Sequence, residues 1–402
     1  MRAEPMLRQV KKVFLVLVGI LTTIFIVHHT WVTSKNVRQG LVAWSIKEVQ
    51  SIEKIPCIDR RASEYNRVED IYCIVLPEFL PHLKNPCFDD IVQNGTKSLR
   101  CLPYFYIIGI DKSGSTDFHN RLTKHPQVYG NLGTLDKETE FWSWRRYGFA
   151  FKRKIEQRAT LDFYLDLFSP LAGNITARNE TNLVTGDATP MDVYDFRGWP
   201  MIPQNEGLQE PRILTPHLVK YIHGKHRPKF LIIFREPIER LYSDYVFLKF
   251  GEDPEKFHQH VVQAITMMKD CIAMYSRRFC FFDDDLLQKL PVRIHVSCYS
   301  VFVKEWLQVF PRSAFHIIRT TEYANEMETT LKEAFHFLEL PSVSPDIMQD
   351  MVNEDRRHKT ANKTSTVLPE TRVLLRRYYS TCNEEMAELL DDQRFLWLDH
   401  YS

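Results

Sequence analysis

The sequence has almost no net charge, no paired-cysteine metal motif and no nucleotide-triphosphatase loop. Its 52 Lys and Arg residues face 51 Asp and Glu, for a net charge of +1. A general nucleic-acid binder carries a basic domain, so no nucleic-acid partner is expected, and any acidic ligand must be met by local basic clusters. None of the eight cysteines forms a C-x-x-C pair, which argues against a zinc ribbon or a thioredoxin-type site. The triphosphatase pattern G-x-x-x-x-G-K-[ST] is absent, and there are no internal repeats or low-complexity tracts. Long apolar runs are also scarce. The exception is Val13 to Val27, which His28 to Val32 extend to about 20 residues, the length that crosses a bilayer.

That run sets the expected compartment. Arg2, Arg8, Lys11 and Lys12 precede it and outweigh Lys35 and Arg38 behind it, which keeps the N-terminus cytosolic and sends the bulk of the chain to the lumen. No small-x-small cleavage site follows, so an uncleaved type II anchor is expected rather than a signal peptide. All eight cysteines lie beyond the run, as an oxidising lumen would favour. Asn94, Asn174, Asn179 and Asn362 open N-x-[ST] sequons, of which the first three are the expected glycosylation sites. The reading is a tail over 1–12, an anchor over 13–32, a stem over 33–100 tied down by cysteines, and a catalytic domain over 101–402.

With 44% hydrophobic and 12% aromatic residues, the chain can build a large core. From Tyr104 the pattern is α/β. Tyr104–Ile110, Leu183–Ala188, Lys229–Phe234 and Ala314–Thr320 read as short, buried parallel strands. Helices are expected from Pro237 to about Lys249, over 257–275, 301–310 and 322–338, and from Pro369 onward. Strands alternating with helices predict a doubly wound parallel sheet.

Two segments carry the chemistry. Lys112-Ser113-Gly114-Ser115-Thr116 lies between a strand and a helix, where free backbone N–H groups and the helix dipole favour an anion. Gly114 permits close approach, Ser115 and Thr116 add hydroxyl donors, and Lys112 adds a positive charge. In the second segment Arg235 ends a strand and Ser243 lies eight residues on, on one face of the following helix. Arginine is suited to a bidentate phosphate contact. Two anion sites on two βα units suit a nucleotide with phosphates at separated positions.

These paired segments resemble the cofactor motifs of sulfotransferases. The stretches FREPIERLYSDYVFL, KFHQHVVQAITMMKDCIAMYSRRFCFF and LPVRIHVSCYSVFVKEWLQVF are similar to those of the Golgi carbohydrate sulfotransferases acting on 4-sulfated N-acetylgalactosamine at its 6-hydroxyl. The similarity runs from about Pro77 to the C-terminus. It implies a P-loop-like sulfotransferase fold, 3′-phosphoadenosine-5′-phosphosulfate as co-substrate without a metal, a chondroitin or dermatan sulfate acceptor, and a Golgi membrane location. Lys112 to Thr116 would take the 5′-phosphosulfate, and Arg235 and Ser243 the 3′-phosphate. Lys363 would sit in a loop closing over the nucleotide. Glu138, in Lys137-Glu138-Thr139-Glu140-Phe141-Trp142, would be the base, with Glu140 the alternative. Lys112 would also meet charge on the departing oxygen. Arg145 and Arg146, with basic runs at 152–154 and 356–359, would meet the polyanionic sugar chain. The resembling enzymes also imply a Cys271–Cys280 disulfide, although spacing alone leaves the connectivity open. The sequence departs from the family at Ser113, at Glu140, and at Ser380-Thr381-Cys382-Asn383. A heparan sulfate or other glycan acceptor, and a lumenal binding or scaffold protein that has lost catalysis, are the alternative readings.

Overall fold

The structure is a computed structural model that describes residues 55–58, 68–75, 77–91, 95, 97–150, 153–154, 157–251, 253–354 and 367–398. The expected anchor at 13–32, Asn94, Asn362, Lys363 and the basic run 356–359 lie outside the described residues. Among the described residues no helix is long and apolar enough to cross a membrane.

Among the described residues nine strands form: β1 (Cys87–Ile91), β2 (Lys97–Cys101), β3 (Phe105–Gly109), β4 (Val128–Tyr129), β5 (Phe149–Ala150), β6 (Arg153–Lys154), β7 (Val184–Asp187), β8 (Lys229–Phe234) and β9 (Phe315–Arg319). The central sheet has the order β4-β7-β3-β8-β9, with every pair parallel. After β3 the chain goes to the edge strand β4, returns inward to β7, and then crosses to β8 and β9 on the other side. The carboxyl edge around β3 is therefore the place where connections diverge and leave a crevice. β3 and β7 are buried at every position and β8 at all but Lys229, as a sheet covered on both faces requires.

The two faces use alternate residues of each strand. Leu231 and Ile233 join Phe105, Ile107, Phe118, Leu122, Leu331 and Phe335 in one apolar cluster. This layer holds α1 (Ser115–Leu122) and the helix Met327–Phe337. On the other face Phe230 packs on Phe315 at 5.0 Å and on Trp306 at 5.1 Å, and Phe234 on Tyr299 at 4.8 Å. Helix α2 (Pro237–Phe247) follows β8, with Pro237 in its first turn and the Glu236 carboxylate accepting from the Glu239 N–H. Helix α3 (Pro254–Met274) gives way to α4 (Arg277–Phe282) through a turn capped by Ser276. Two further helices matter below, α5 (Tyr299–Leu307) and α6 (Pro369–Leu390).

Four disulfides pair Cys57–Cys73, Cys87–Cys101, Cys271–Cys280 and Cys298–Cys382. The expected bridge at Cys271 forms because the chain turns back after Tyr275, bringing the Cα atoms to 5.9 Å. Cys382, in the segment that departs from the family, is bonded to Cys298, so a covalent link ties α6 to the start of α5. Residues assigned to the stem are joined to the fold from Pro56 onward, since Pro56 to Ser402 forms one compact unit. Tyr221 donates to the Tyr72 and Ile74 carbonyls at 3.1 Å, and Asn85 bridges Leu102 and Thr185.

Candidate active site

The two anion segments meet at the carboxyl ends of β3 and β8, which are hydrogen-bonded neighbours. Arg235 Nη1 donates to the Lys112 carbonyl at 3.2 Å. Lys112 Nζ lies 3.6 Å from the centre of the Phe247 ring, one turn beyond Ser243 on α2. The Thr320 hydroxyl, just past β9, lies 2.9 Å from the Ser113 carbonyl and 3.1 Å from that of Phe234. The loop after β3 is thus fastened to both neighbouring connections.

The loop has the shape its sequence implies. Gly114 adopts φ +100° as it opens α1, a conformation that favours glycine, and a Cβ built there would meet no atom within 4 Å. The N-terminus of α1 is therefore approachable. Ser115 is buried and Thr116 half-buried beside it. The Ser113 hydroxyl is buried without a protein partner. An anion donor with accepting oxygens fits such a cradle. Burial lowers the Lys112 ammonium from its ordinary value, against the pull of Asp111 and Asp244. Burial also lowers Arg235, although Glu239 lies 3.6 Å away. Ser243 is 1% exposed on the inner face of α2.

A carboxylate cluster lies on the β7 side. Thr139 donates through its hydroxyl to Asp187 at 2.6 Å, at the end of β7, and Glu140 N–H donates to the Thr189 hydroxyl at 3.1 Å. Asp187 also accepts from Thr189 and Tyr164, at 2.7 and 3.1 Å. Burial raises its carboxyl to about 6 against these donors. The segment holding Glu138 is thereby hooked to the strand beside β3, on the edge that carries Lys112. Glu138, 15% exposed, is paired with the fully buried Lys137, whose ammonium also donates to the Ala188 carbonyl at 3.2 Å. Burial lowers Lys137, and Glu138 opposes the shift. Glu140 sits at φ +54° and pairs with Arg145 at 3.2 Å. Burial raises Glu140, against that arginine.

Two sequence expectations need correction or narrowing. Arg146 is 2% exposed and stacked among Phe141, Trp142 and Tyr147, and it donates to the Glu69 carbonyl, so it braces the fold and cannot meet an acceptor chain. Arg145 stays partly exposed, but its guanidinium is engaged by Glu140. Asn179 is exposed at the end of the helix Ser169–Arg178, whereas Asn174 lies within that helix and donates its Nδ2 to the Pro170 carbonyl at 2.8 Å.

Sequence reasoning missed an ion cluster directly behind the loop. Arg240 donates to Asp111 at 3.2 Å and to Asp244 at 3.4 Å, and Arg293 contacts the same two carboxylates. Arg240 and Asp244 share a face of α2 at i and i+4, which spacing could have flagged. Nothing local points to Arg293, which arrives from a distant loop.

Residues 103–384 match the family model described as the sulfotransferase domain. The chain is 32% identical over 315 residues to carbohydrate sulfotransferase 15 of Rattus norvegicus, covering 74% of this chain and 55% of that protein. It is 31% identical over 315 residues to carbohydrate sulfotransferase 15 of Homo sapiens, with the same coverage of 74% and 55%. The chain thus spans about half the length of the curated relatives it matches. Among solved structures, a sulfotransferase from Alicyclobacillus acidocaldarius aligns with a TM-score of 0.46 at 17% identity, over 73% of this chain and 97% of that one.

Proposed function

Because the chain belongs to the sulfotransferase family, we propose that it transfers a sulfuryl group from 3′-phosphoadenosine-5′-phosphosulfate to a glycosaminoglycan hydroxyl. The finer reading is the 6-hydroxyl of 4-sulfated N-acetylgalactosamine in chondroitin or dermatan sulfate. The observation that carries the donor assignment is the contact between the two anion segments, Arg235 to the Lys112 carbonyl, on neighbouring strands. Burial also leaves both Lys112 and Arg235 lowered, and such groups gain from an anionic ligand.

In this reading the N–H groups opening α1 and the hydroxyls of Ser115 and Thr116 hold the 5′-phosphosulfate, while Arg235 and Ser243 hold the 3′-phosphate. The donor supplies the sulfuryl group. The acceptor oxygen bonds to sulfur as the bond from sulfur to the bridging phosphate oxygen breaks. Glu138 takes the acceptor proton, and Lys112 meets the charge left on the departing oxygen. Glu140 is the alternative base; each carboxylate has a cation partner, Lys137 for Glu138 and Arg145 for Glu140. The relatives named carbohydrate sulfotransferase 15 support a sugar acceptor. The same reading places the catalytic unit in the Golgi lumen behind the anchor at 13–32, and the four disulfides suit that oxidising compartment.

The test is a radiolabelled sulfate-transfer assay over desulfated and partly sulfated glycosaminoglycans, with disaccharide analysis of the product. Label on 4,6-disulfated N-acetylgalactosamine is the expected result. Label confined to heparan sulfate would overturn the acceptor. No transfer to any glycan, with the donor bound, would overturn the enzyme reading.

A further inference from the structure

Four charged groups, Arg240 and Asp244 buried and Asp111 and Arg293 half-buried, lie between Lys112 on one anion segment and Ser243 on the other. Asp111 precedes Lys112, and Asp244 follows Ser243. Two guanidiniums span them. Arg240 reaches Asp111 Oδ1 at 3.2 Å and Asp244 Oδ2 at 3.4 Å. Arg293 donates through Nε to Asp244 at 2.8 Å and through Nη2 to both Asp111 and Asp244. The arrangement is a closed ring of two cations and two anions. Its outer donors are also used, Arg240 Nε by Ser297 at 2.7 Å and Arg293 Nη1 by Tyr194 at 3.0 Å.

We infer that this ring is a spacer, with Arg240 and Arg293 acting as positioning residues that fix the separation between the 5′- and 3′-phosphate sites. The inference rests on the donor reading above. Sheet pairing fixes the ends of β3 and β8, and core packing and the Lys112–Phe247 contact hold α2 near the loop after β3, but apolar and single-point contacts leave it some freedom to slide or turn. The ring removes that freedom, because it pins the residue after Ser243 to the residue before Lys112. Planar guanidiniums making several bonds each define distance and angle, where a single lysine would not. Burial pushes Asp244 up, but Arg293 and Arg240 outweigh it and hold the carboxyl below its ordinary value, so the ring stays charged. A ligand with two phosphates gains from a preset separation, and a ligand with one gains nothing.

That difference supplies the experiment. Calorimetry on the full chain would compare adenosine 3′,5′-bisphosphate with adenosine 5′-monophosphate and adenosine 3′-monophosphate. The variants are Arg293→Lys, which keeps the charge and loses the fork, and Asp111→Asn, each checked for folding by thermal unfolding. The expected result is that the preference for the bisphosphate over the better monophosphate falls about tenfold, the range of coupling between groups in one network, while in Arg293→Lys, which keeps the charge, both monophosphates bind as before. Equal weakening of all three ligands, or an unchanged preference in both variants, would overturn the spacer role and leave the donor reading standing. No bisphosphate preference in the unaltered protein would overturn the donor reading, and the spacer role with it.

Discussion

Replacing Glu138 by Gln tests the base and the buried pair at once, and the two effects come apart. The carboxylate pairs with the Lys137 ammonium, which is fully buried and also donates to the Ala188 carbonyl. Breaking a buried pair from one side costs about 3–5 kcal/mol. Because Glu138 retains some exposure, the lower end applies, about 3 kcal/mol. At about 2 °C per kcal/mol for a large domain, that is a fall of about 6 °C in Tm. The pH dependence has a definite sign. Lys137 is already below its ordinary 10.5, and without Glu138 it falls further. The unfolded chain then binds more protons than the folded one between the lowered value and 10.5, so stability rises with pH across that window. The deficit of Glu138→Gln against the unaltered protein should shrink toward pH 10. Thermal unfolding from pH 6 to 10 measures it, with sulfate transfer measured in parallel. Lys137→Met/Glu138→Gln should recover most of the stability and none of the activity. A single variant as stable as the parent at every pH would refute the buried-pair argument, and transfer by the double variant would remove Glu138 as the base.

Arg235→Ala should weaken adenosine 3′,5′-bisphosphate binding by a factor of about 10–100, the worth of a charged hydrogen bond, and leave adenosine 5′-monophosphate nearly unchanged; calorimetry showing no difference between the ligands would remove Arg235 from the 3′-phosphate. Replacing both cysteines of a pair by serine should cost about 2.5 kcal/mol for Cys271–Cys280 and about 4.5 kcal/mol for Cys298–Cys382, since chain entropy grows with the loop closed; denaturant titration checks the order, and non-reducing peptide mapping checks the pairs. Glycopeptide mass spectrometry should find Asn179 occupied more fully than Asn174, whose amide is engaged inside a helix. Arg146→Ala should lower Tm and leave the acceptor KM of the surviving enzyme unchanged, because the guanidinium faces the Phe141–Tyr147 aromatics and not solvent.

Four of the five strands of the sheet were legible because they are short apolar runs, and the two-residue β4 (Val128–Tyr129) was too short to show. Lys229–Phe234 forms as read, and Pro237 starts the next helix because its ring suits a first turn. The expected helix over 322–338 is instead two, Thr320–Asn325 and Met327–Phe337, broken at Glu326. Tertiary contact decides that break: Tyr323 donates to the buried Asp117 at 2.5 Å and packs on Phe118, which holds the first piece against α1. The anion segments could be read because each is contiguous and its chemistry is local. Arg146 misled because a basic pair looks the same whether it faces solvent or an aromatic cage. The Lys137–Glu138 pair depends on burial, which adjacency does not encode, and the ring of Asp111, Arg240, Asp244 and Arg293 joins partners far apart in the chain, of which spacing marks only Arg240 and Asp244.

The four disulfides have one more property, visible when they are ordered along the chain. The first cysteine pairs with the second, the third with the fourth, the fifth with the sixth and the seventh with the eighth. Of the roughly hundred ways to join eight cysteines, this is the one in which no loop encloses or crosses another. A chain whose cysteines enter an oxidising compartment in the order of synthesis presents each odd-numbered cysteine with its native partner as the next thiol to emerge. Native pairing then needs no swapping of partners after synthesis, and a ribosome-bound fragment ending anywhere in the chain carries at most one thiol still waiting for its mate.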